Sequence, residues 1–305
     1  MAYSMRRVAR WSRDIGLTIR MFVVMGLLTL IYLAFFAFLA SRGVSTISLL
    51  VLAAIMVGIQ YFFSDKLALL AAGARVVDRQ QAPELYAMVE RLAAQADLPV
   101  PKVAVIDTPV PNAFATGRSP KAAVVAVTTG LLRTLEPEEV EAVLAHEMTH
   151  IRNRDVMVMT IASFFALVAQ LITRWAFWGS LWGGDNRGRR DSGNVFLLIY
   201  LVSMIVYFVS TLLMLALSRY REFAADRGAA LITGAPSRLI SALLKISGVM
   251  QRVPQQDLRE VAAMNAFFIV PAIRGEDIAE LFATHPSLEK RIARLQALAR
   301  ELEGV

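Results

Sequence analysis

The residues of this sequence best suited to chemistry are His146-Glu147-Met148-Thr149-His150, two histidines four apart with a glutamate beside the first. On a helix, positions i and i+4 lie on one face, so both imidazoles can meet a single ion. Zinc accepts imidazole nitrogen readily and needs a third protein ligand plus an open position for water. Such water has a pKa of ~7 rather than ~16, and Glu147 stands where it can act as general base. The competing explanation is a chance pairing on an amphipathic helix. It is weakened by composition, because the chain has three histidines and two of them stand at this spacing around a carboxylate. There are no cysteines, which excludes disulfides and thiolate zinc sites and leaves any metal to histidine and carboxylate.

A third ligand has to come from elsewhere in the chain. Glu222 and Asp226, in the stretch Arg219-Tyr220-Arg221-Glu222-Phe223-Ala224-Ala225-Asp226, are again i and i+4 and share a helix face. One carboxylate can bind the ion while the other accepts a hydrogen bond from a ligand imidazole. Alone, the cluster would be a solvated charged face paired with Arg219, Arg221 or Arg227. Beside the first motif it is the candidate remainder of the site.

The elements that must bring these residues together are apolar. Hydrophobic residues make up 56% of the 305 residues and charged ones 19%, and mean hydropathy is +0.53. A soluble globular chain is about 45–50% apolar and about 25% charged, so a membrane protein with a sizeable polar part is expected. Residues 1–20 form a basic arm with five arginines and Asp14 as the one acid. Residues 21–40 carry no charge, and twenty helical residues span ~30 Å, the thickness of a bilayer core. That run is too long for a cleaved signal and a second follows at 46–63, so residues 21–63 are expected to form an uncleaved transmembrane hairpin. Two further runs, 156–178 and 195–217, predict a second hairpin over 156–217. The catalytic part is then split into residues 64–155 and 218–305. Because the second hairpin returns both its ends to one face, it carries Glu222 toward His146 and His150.

Within 64–155 the periodicity predicts a helix over 83–96 and strands at 103–106, 112–117 and 122–128. The helix bearing the histidines should start near Pro137, with Glu138 and Glu139 at its positive end and Val140, Val143 and Leu144 buried. After the fourth run, helices are expected over 219–231, 237–249 and 287–302, with Phe267 to Val270 as an apolar cluster between the last two. The fold class is therefore a mainly α-helical membrane protein with a small β-sheet, four transmembrane helices and a catalytic domain. The basic residues beside the first hairpin place both termini and the catalytic part in the cytoplasm. Arg187, Arg189 and Arg190, in a loop this places outside, run against that orientation. The net charge of +7 also fits a nucleic-acid partner, but the basic residues flank apolar runs and membrane orientation accounts for them; no nucleic acid is expected.

The chain resembles the HtpX-type membrane zinc metalloproteases, relatives of the CAAX prenyl proteases. The likeness rests on the hydrophobic hairpin, Pro111-Asn112-Ala113-Phe114-Ala115-Thr116-Gly117, His146-Glu147-Met148-Thr149-His150, Arg221-Glu222-Phe223-Ala224-Ala225-Asp226, and His285-Pro286 followed by Arg291. It implies a zincin-like (gluzincin) domain with one zinc ion on His146, His150 and Glu222. Glu147 would be the base, and Asp226 would back a ligand. It also implies envelope quality control in a bacterial or archaeal plasma membrane, on membrane or misfolded protein substrates.

Two further groups fit such a protease. Asn112, in the expected edge strand, could bond a substrate carbonyl where a peptide adds as a further strand, or be a turn residue after Pro111. His285 as a fourth ligand would close the open position; with Arg291 it is placed instead on the oxyanion of the tetrahedral intermediate. The plainer alternative is a helix-entry histidine and a solvated arginine. A non-enzymatic scaffold would not need Glu147, and a transporter would need ionisable residues that the second and fourth runs lack.

Overall fold

In the computed structural model of the chain, residues 15–182, 190–250, 252 and 285–303 are described. The chain divides into two compact units. One is Met1–Thr18, Asp65–Val156 and Arg219–Val305; the other is Ile19–Ser64 and Met157–Ser218.

The second unit is built from the apolar runs. The first becomes helix α1 (Ile15–Ser41) and the second lies within α2 (Thr46–Ala71). Tyr32, Phe35 and Leu39 bury against Val168, Ile172, Ala176 and Ile199. Two polar contacts tie its helices together. The Tyr32 hydroxyl donates to the Phe165 carbonyl, and Thr173 Oγ1 donates to Ser203 Oγ at 3.0 Å. Phe22, Leu30, Leu33, Ile205 and Phe208 face outward, a costly pattern in water and a favourable one in lipid. Among the described residues, three helices are long and apolar enough to cross a membrane: Thr18–Ser41, Asp155–Gly179 and Asn194–Thr233.

The first unit positions the candidate site. After α2 come β1 (Arg75–Val77), α3 (Pro83–Ala96), β2 (Lys102–Ile106), β3 (Ala113–Thr116) and β4 (Val124–Thr128). The sheet order is β1-β2-β4-β3, with β2 and β4 parallel and the outer pairs antiparallel. Three strands were expected. The fourth, β1, has three residues and an exposed, exposed, buried pattern, too short to show alternation. Gly117 ends β3 at φ 124°, where a Cβ would lie 2.6 Å from the Ala122 carbonyl oxygen. A short helix, α4 (Thr129–Thr134), follows β4 where the sequence pattern marked only a strand end.

Helix α5 (Pro137–Arg152) is the centre of this unit and packs on α3, β3 and α8 (Pro236–Met250). Pro137 opens it, and the Glu139 carboxylate accepts the Glu136 amide at 2.9 Å. Glu139 also holds α8, accepting from Ser241 at 2.6 Å and Lys245 at 2.8 Å. Burial opposes the ionised form of Glu139, but these bonds outweigh it and keep its pKa low. Val140, Val143, Leu144 and Met148 are buried, each contributing about 1.5–3 kcal/mol.

Asn153 and Arg154 interrupt the helical path, with Arg154 in the left-handed region at φ 56°. Helix α6 (Asp155–Trp182) starts immediately after. Helix α7 (Arg190–Thr233) runs unbroken through the fourth apolar run and the helix expected separately over 219–231. No proline interrupts that stretch, and its one glycine after Gly193, Gly228, lies in the helix interior, where an isolated glycine is tolerated. The last described helix is α9 (Leu288–Glu303), which packs on α8. The Phe267 to Val270 cluster lies outside the described residues.

Candidate active site

The i, i+4 spacing on α5 sets the two imidazoles edge to face, with ring centroids 4.7 Å apart. Their Nε2 atoms point at one another across 3.1 Å. Glu222, on α7, closes a triangle with them: its Oε2 is 3.6 Å from His146 Nε2 and its Oε1 is 3.5 Å from His150 Nε2. Two ligand atoms ~2.0–2.1 Å from one tetrahedral ion stand about 3.3 Å apart, so these separations fit a shared ion. Donor atoms of the three residues all lie within 4.8 Å of one another. Two neutral imidazoles and one carboxylate with no thiolate suit zinc or a similar divalent ion.

The back nitrogens are held by acids. His146 Nδ1 is 3.0 Å from Asp226 Oδ1, and His150 Nδ1 is 2.6 Å from Asp155 Oδ2. Each acid faces an arginine. Arg291, on α9, donates through Nε and Nη2 to Asp226 at 2.8 and 2.6 Å. Arg221 Nε lies 3.1 Å from Asp155 Oδ1. Burial favours the neutral forms of Asp226 and Arg291, but each is outweighed by the other's charge, which lowers the pKa of Asp226 and raises that of Arg291. In the metal-free chain burial would also drive His146 neutral, but hydrogen bonds to Asp226 and Glu222 outweigh it and raise its pKa to about 9.

Glu147 is buried beside the ligands, and burial pushes its pKa up while the two histidines pull it down. The Ala115 amide donates to it, which fixes how β3 meets α5. Asn112 and Thr128 are hydrogen-bonded partners: the Thr128 amide donates to the Asn112 carbonyl at 2.9 Å, and the Asn112 amide donates to Thr128 Oγ1 at 2.8 Å. Antiparallel pairs alternate, so Phe114 and Thr116 turn their backbone groups toward β4, and Ala113 and Ala115 turn theirs away. β3 is thus a sheet edge whose outward backbone meets Glu147.

His285 is brought to the same place. Its Nδ1 is 3.2 Å from Glu222 Oε2, and its buried Nε2 has no hydrogen-bond partner among the described residues. Arg291 was expected on the oxyanion, but two of its three nitrogens are committed to Asp226, and Nη1 is 3.7 Å from Glu222 Oε2. An open cleft of about 650 Å³, lined by Arg75, Leu85 and Val140 among others, contains none of these residues.

Sequence reasoning missed Asp155 and Arg221 as parts of the site. Asp155 is five residues past His150, about 140° round a continuous helix, and only the left-handed turn at Arg154 returns it. The sequence offers Arg221 as a partner for Glu222 or Asp226, and nothing in its spacing names Asp155.

Comparison with known proteins places the chain in a family. The model of peptidase family M48 matches residues 79–299, a span containing every residue named above as lining the ion-binding triangle. A protease HtpX homolog from Moorella thermoacetica is 57% identical over 95% of this chain and 97% of its own. A second, from Methanosarcina acetivorans, is 54% identical over 96% of this chain and 99% of its own. The crystal structure of S. mikatae Ste24p is alike in fold, with a TM-score of 0.57 at 17% identity, over 91% of this chain and 67% of that one. With its paired histidines, a carboxylate from a distant helix and apolar helices of spanning length, the chain thus belongs to the HtpX-type membrane metalloproteases of peptidase family M48.

Proposed function

We propose that the chain is a zinc-dependent endopeptidase of a bacterial or archaeal plasma membrane, acting on membrane or misfolded proteins in envelope quality control. One observation carries the reading most directly: three donor atoms, His146 Nε2, His150 Nε2 and a Glu222 oxygen, converge while an unligated carboxylate, Glu147, is buried beside them. A zinc ion held there would polarise the substrate carbonyl and acidify a water molecule. Glu147 takes the proton of the attacking water and passes it to the leaving amine; its raised pKa suits both halves of that transfer. The Ala115 amide keeps the carboxylate aimed. An extended substrate segment pairs with the outward edge of β3, and Asn112 bonds one of its carbonyls. His285 Nε2, without a hydrogen-bond partner among the described residues, donates to the developing oxyanion. Arg291 acts mainly through Asp226, which holds His146. Such backbone-directed binding has little sequence preference, which suits unfolded substrates.

The four apolar runs, including the one within α2, each cross the bilayer, and both termini and the catalytic unit lie in the cytoplasm. The partners are protein substrates and lipid, with no nucleic acid.

The test is degradation of casein by the detergent-purified chain. Cleavage should require zinc, stop with a chelator, and be lost in Glu147→Gln although that variant still binds one ion per chain. Near-normal turnover by Glu147→Gln would remove the assigned base.

A further inference from the structure

Helix α5 and helix α7 supply the donors of the proposed metal site, yet a histidine ligand works only if its ring is held in one tautomer and one orientation. The nitrogen facing away from the ion does this by donating to a fixed acceptor. His146 has Asp226 for the purpose, four residues beyond Glu222 on the same helix face. His150 has a different arrangement, assembled from the break between α5 and α6 and from the residue before Glu222.

We propose that Asp155 and Arg221 are positioning residues that hold His150 as Asp226 and Arg291 hold His146, an inference that rests on the reading of His146, His150 and Glu222 as metal ligands. Asp155 is fully buried and uses both oxygens: Oδ2 lies 2.6 Å from His150 Nδ1, and Oδ1 lies 3.1 Å from Arg221 Nε. An isolated buried carboxylate is expensive, so this one persists because it is paired and hydrogen-bonded. A purely structural ion pair has no reason to put its second oxygen on the back of a ligand ring, or to draw its cation from the position adjacent to the third ligand. Here Asp155 links His150 on α5 to the side chain of Arg221, the residue before Glu222 on α7, so one carboxylate ties the ring to the helix that carries the third donor. The bond also leaves the His150 Nε2 lone pair facing the other donors.

Charge points the same way. Glu147, Asp155, Glu222 and Asp226 are buried carboxylates in contact with the same histidines or beside them. Arg221, Arg291 and one divalent ion balance them. Without Arg221, Asp155 would be an uncompensated buried anion; without Asp155, Arg221 would lose its counter-ion and His150 its acceptor.

The measurement is metal affinity by competition with a chromophoric chelator, with the d–d spectrum of bound cobalt(II) as a record of ligand geometry. It uses the full chain in detergent, in a Glu147→Gln background so that self-cleavage does not obscure metal content. The background protein should bind one ion and His150→Ala should lose it; failure of either removes the metal-site reading itself. With those in place, Asp155→Asn should still take up one ion, with affinity lower by about 10–100-fold and a shifted cobalt spectrum. Arg221→Met should weaken binding in the same direction, and the double variant should be no worse than the more damaging single one, because both act through one contact. Unchanged affinity and spectrum in Asp155→Asn overturn the proposal, as do fully additive losses. If Asp155→Asn does not fold, Arg221→Met decides alone: an unaltered cobalt spectrum and affinity in that variant overturn it.

Discussion

In the metal-free chain His146 should carry a proton that an incoming ion must displace. Burial favours the neutral ring, but the Asp226 and Glu222 carboxylates outweigh it and place the pKa at about 9. At pH 7 the ring is then about 99% protonated, and two pKa units correspond to about 3 kcal/mol. Coordination needs the neutral imidazole, so apparent affinity should fall about tenfold per pH unit from about 9 to 7, and each ion bound at pH 7 should release about one proton. Titration calorimetry in buffers of different ionisation enthalpy counts those protons. Glu147→Gln is the protein to use, because it removes a second buried group, a carboxyl, whose pKa is also raised. Release of fewer than about 0.3 protons, with affinity flat across this range, would refute the charge assignment at His146.

The same shift has a consequence for stability. The folded pKa lies above the unfolded value of about 6.5, so the protonated ring stabilises the metal-free fold fully below about pH 6.5. That contribution, about 3 kcal/mol, is lost as pH rises through about 9. Metal binding gains over the same window. The rise in melting temperature produced by metal should therefore grow between pH 6.5 and 9, and a constant rise would contradict the linkage.

Three further outcomes are expected. Glu222→Ala should purify with little metal, whereas Asp226→Ala should keep an ion bound about 10–100-fold more weakly; metal content per chain decides, and the reverse order would make Asp226 the ligand. Arg154→Gly should leave metal content intact and raise stability by up to about 1 kcal/mol, while Arg154→Val should lose stability and metal, because a β-branched residue resists the left-handed turn; equal melting of the two would show that the turn is not needed. Reporter fusions within 64–155 and after Val305 should read cytoplasmic and one at Gly188 external; a cytoplasmic reading at Gly188 would mean that the third and fourth runs do not cross.

Features with a local physical cause were the legible ones. Pro137, the acids after it and the 3.6-residue spacing of Val140, Val143 and Leu144 define α5 from the sequence, and α3 begins at Pro83 for the same reason. The spacing of Glu222 and Asp226 likewise placed both on one face, and the structure brings both to the histidines. Features set by long-range pairing were not legible. β1 exists because three residues pair with β2, and Arg75, Val76 and Val77 alone carry no strand signal. Arg291 has the same composition whether it faces solvent, an oxyanion or Asp226, and only the packing of α9 decides.

The arrangement on α7 shows why the site cannot be read one residue at a time. Arg221, Glu222 and Asp226 reach three targets: Asp155, the paired Nε2 atoms and His146 Nδ1. Glu222 and Asp226 are a turn apart and stack on one face, while Arg221 sits about 100° round from Glu222, toward the start of α6. A rotation of α7 by one residue would withdraw all three at once. Each contact therefore fixes the register that the other two need. The i, i+4 rule finds two of them because they share a face; the third lies off that face and becomes visible only when the turn at Arg154 has put Asp155 beside it.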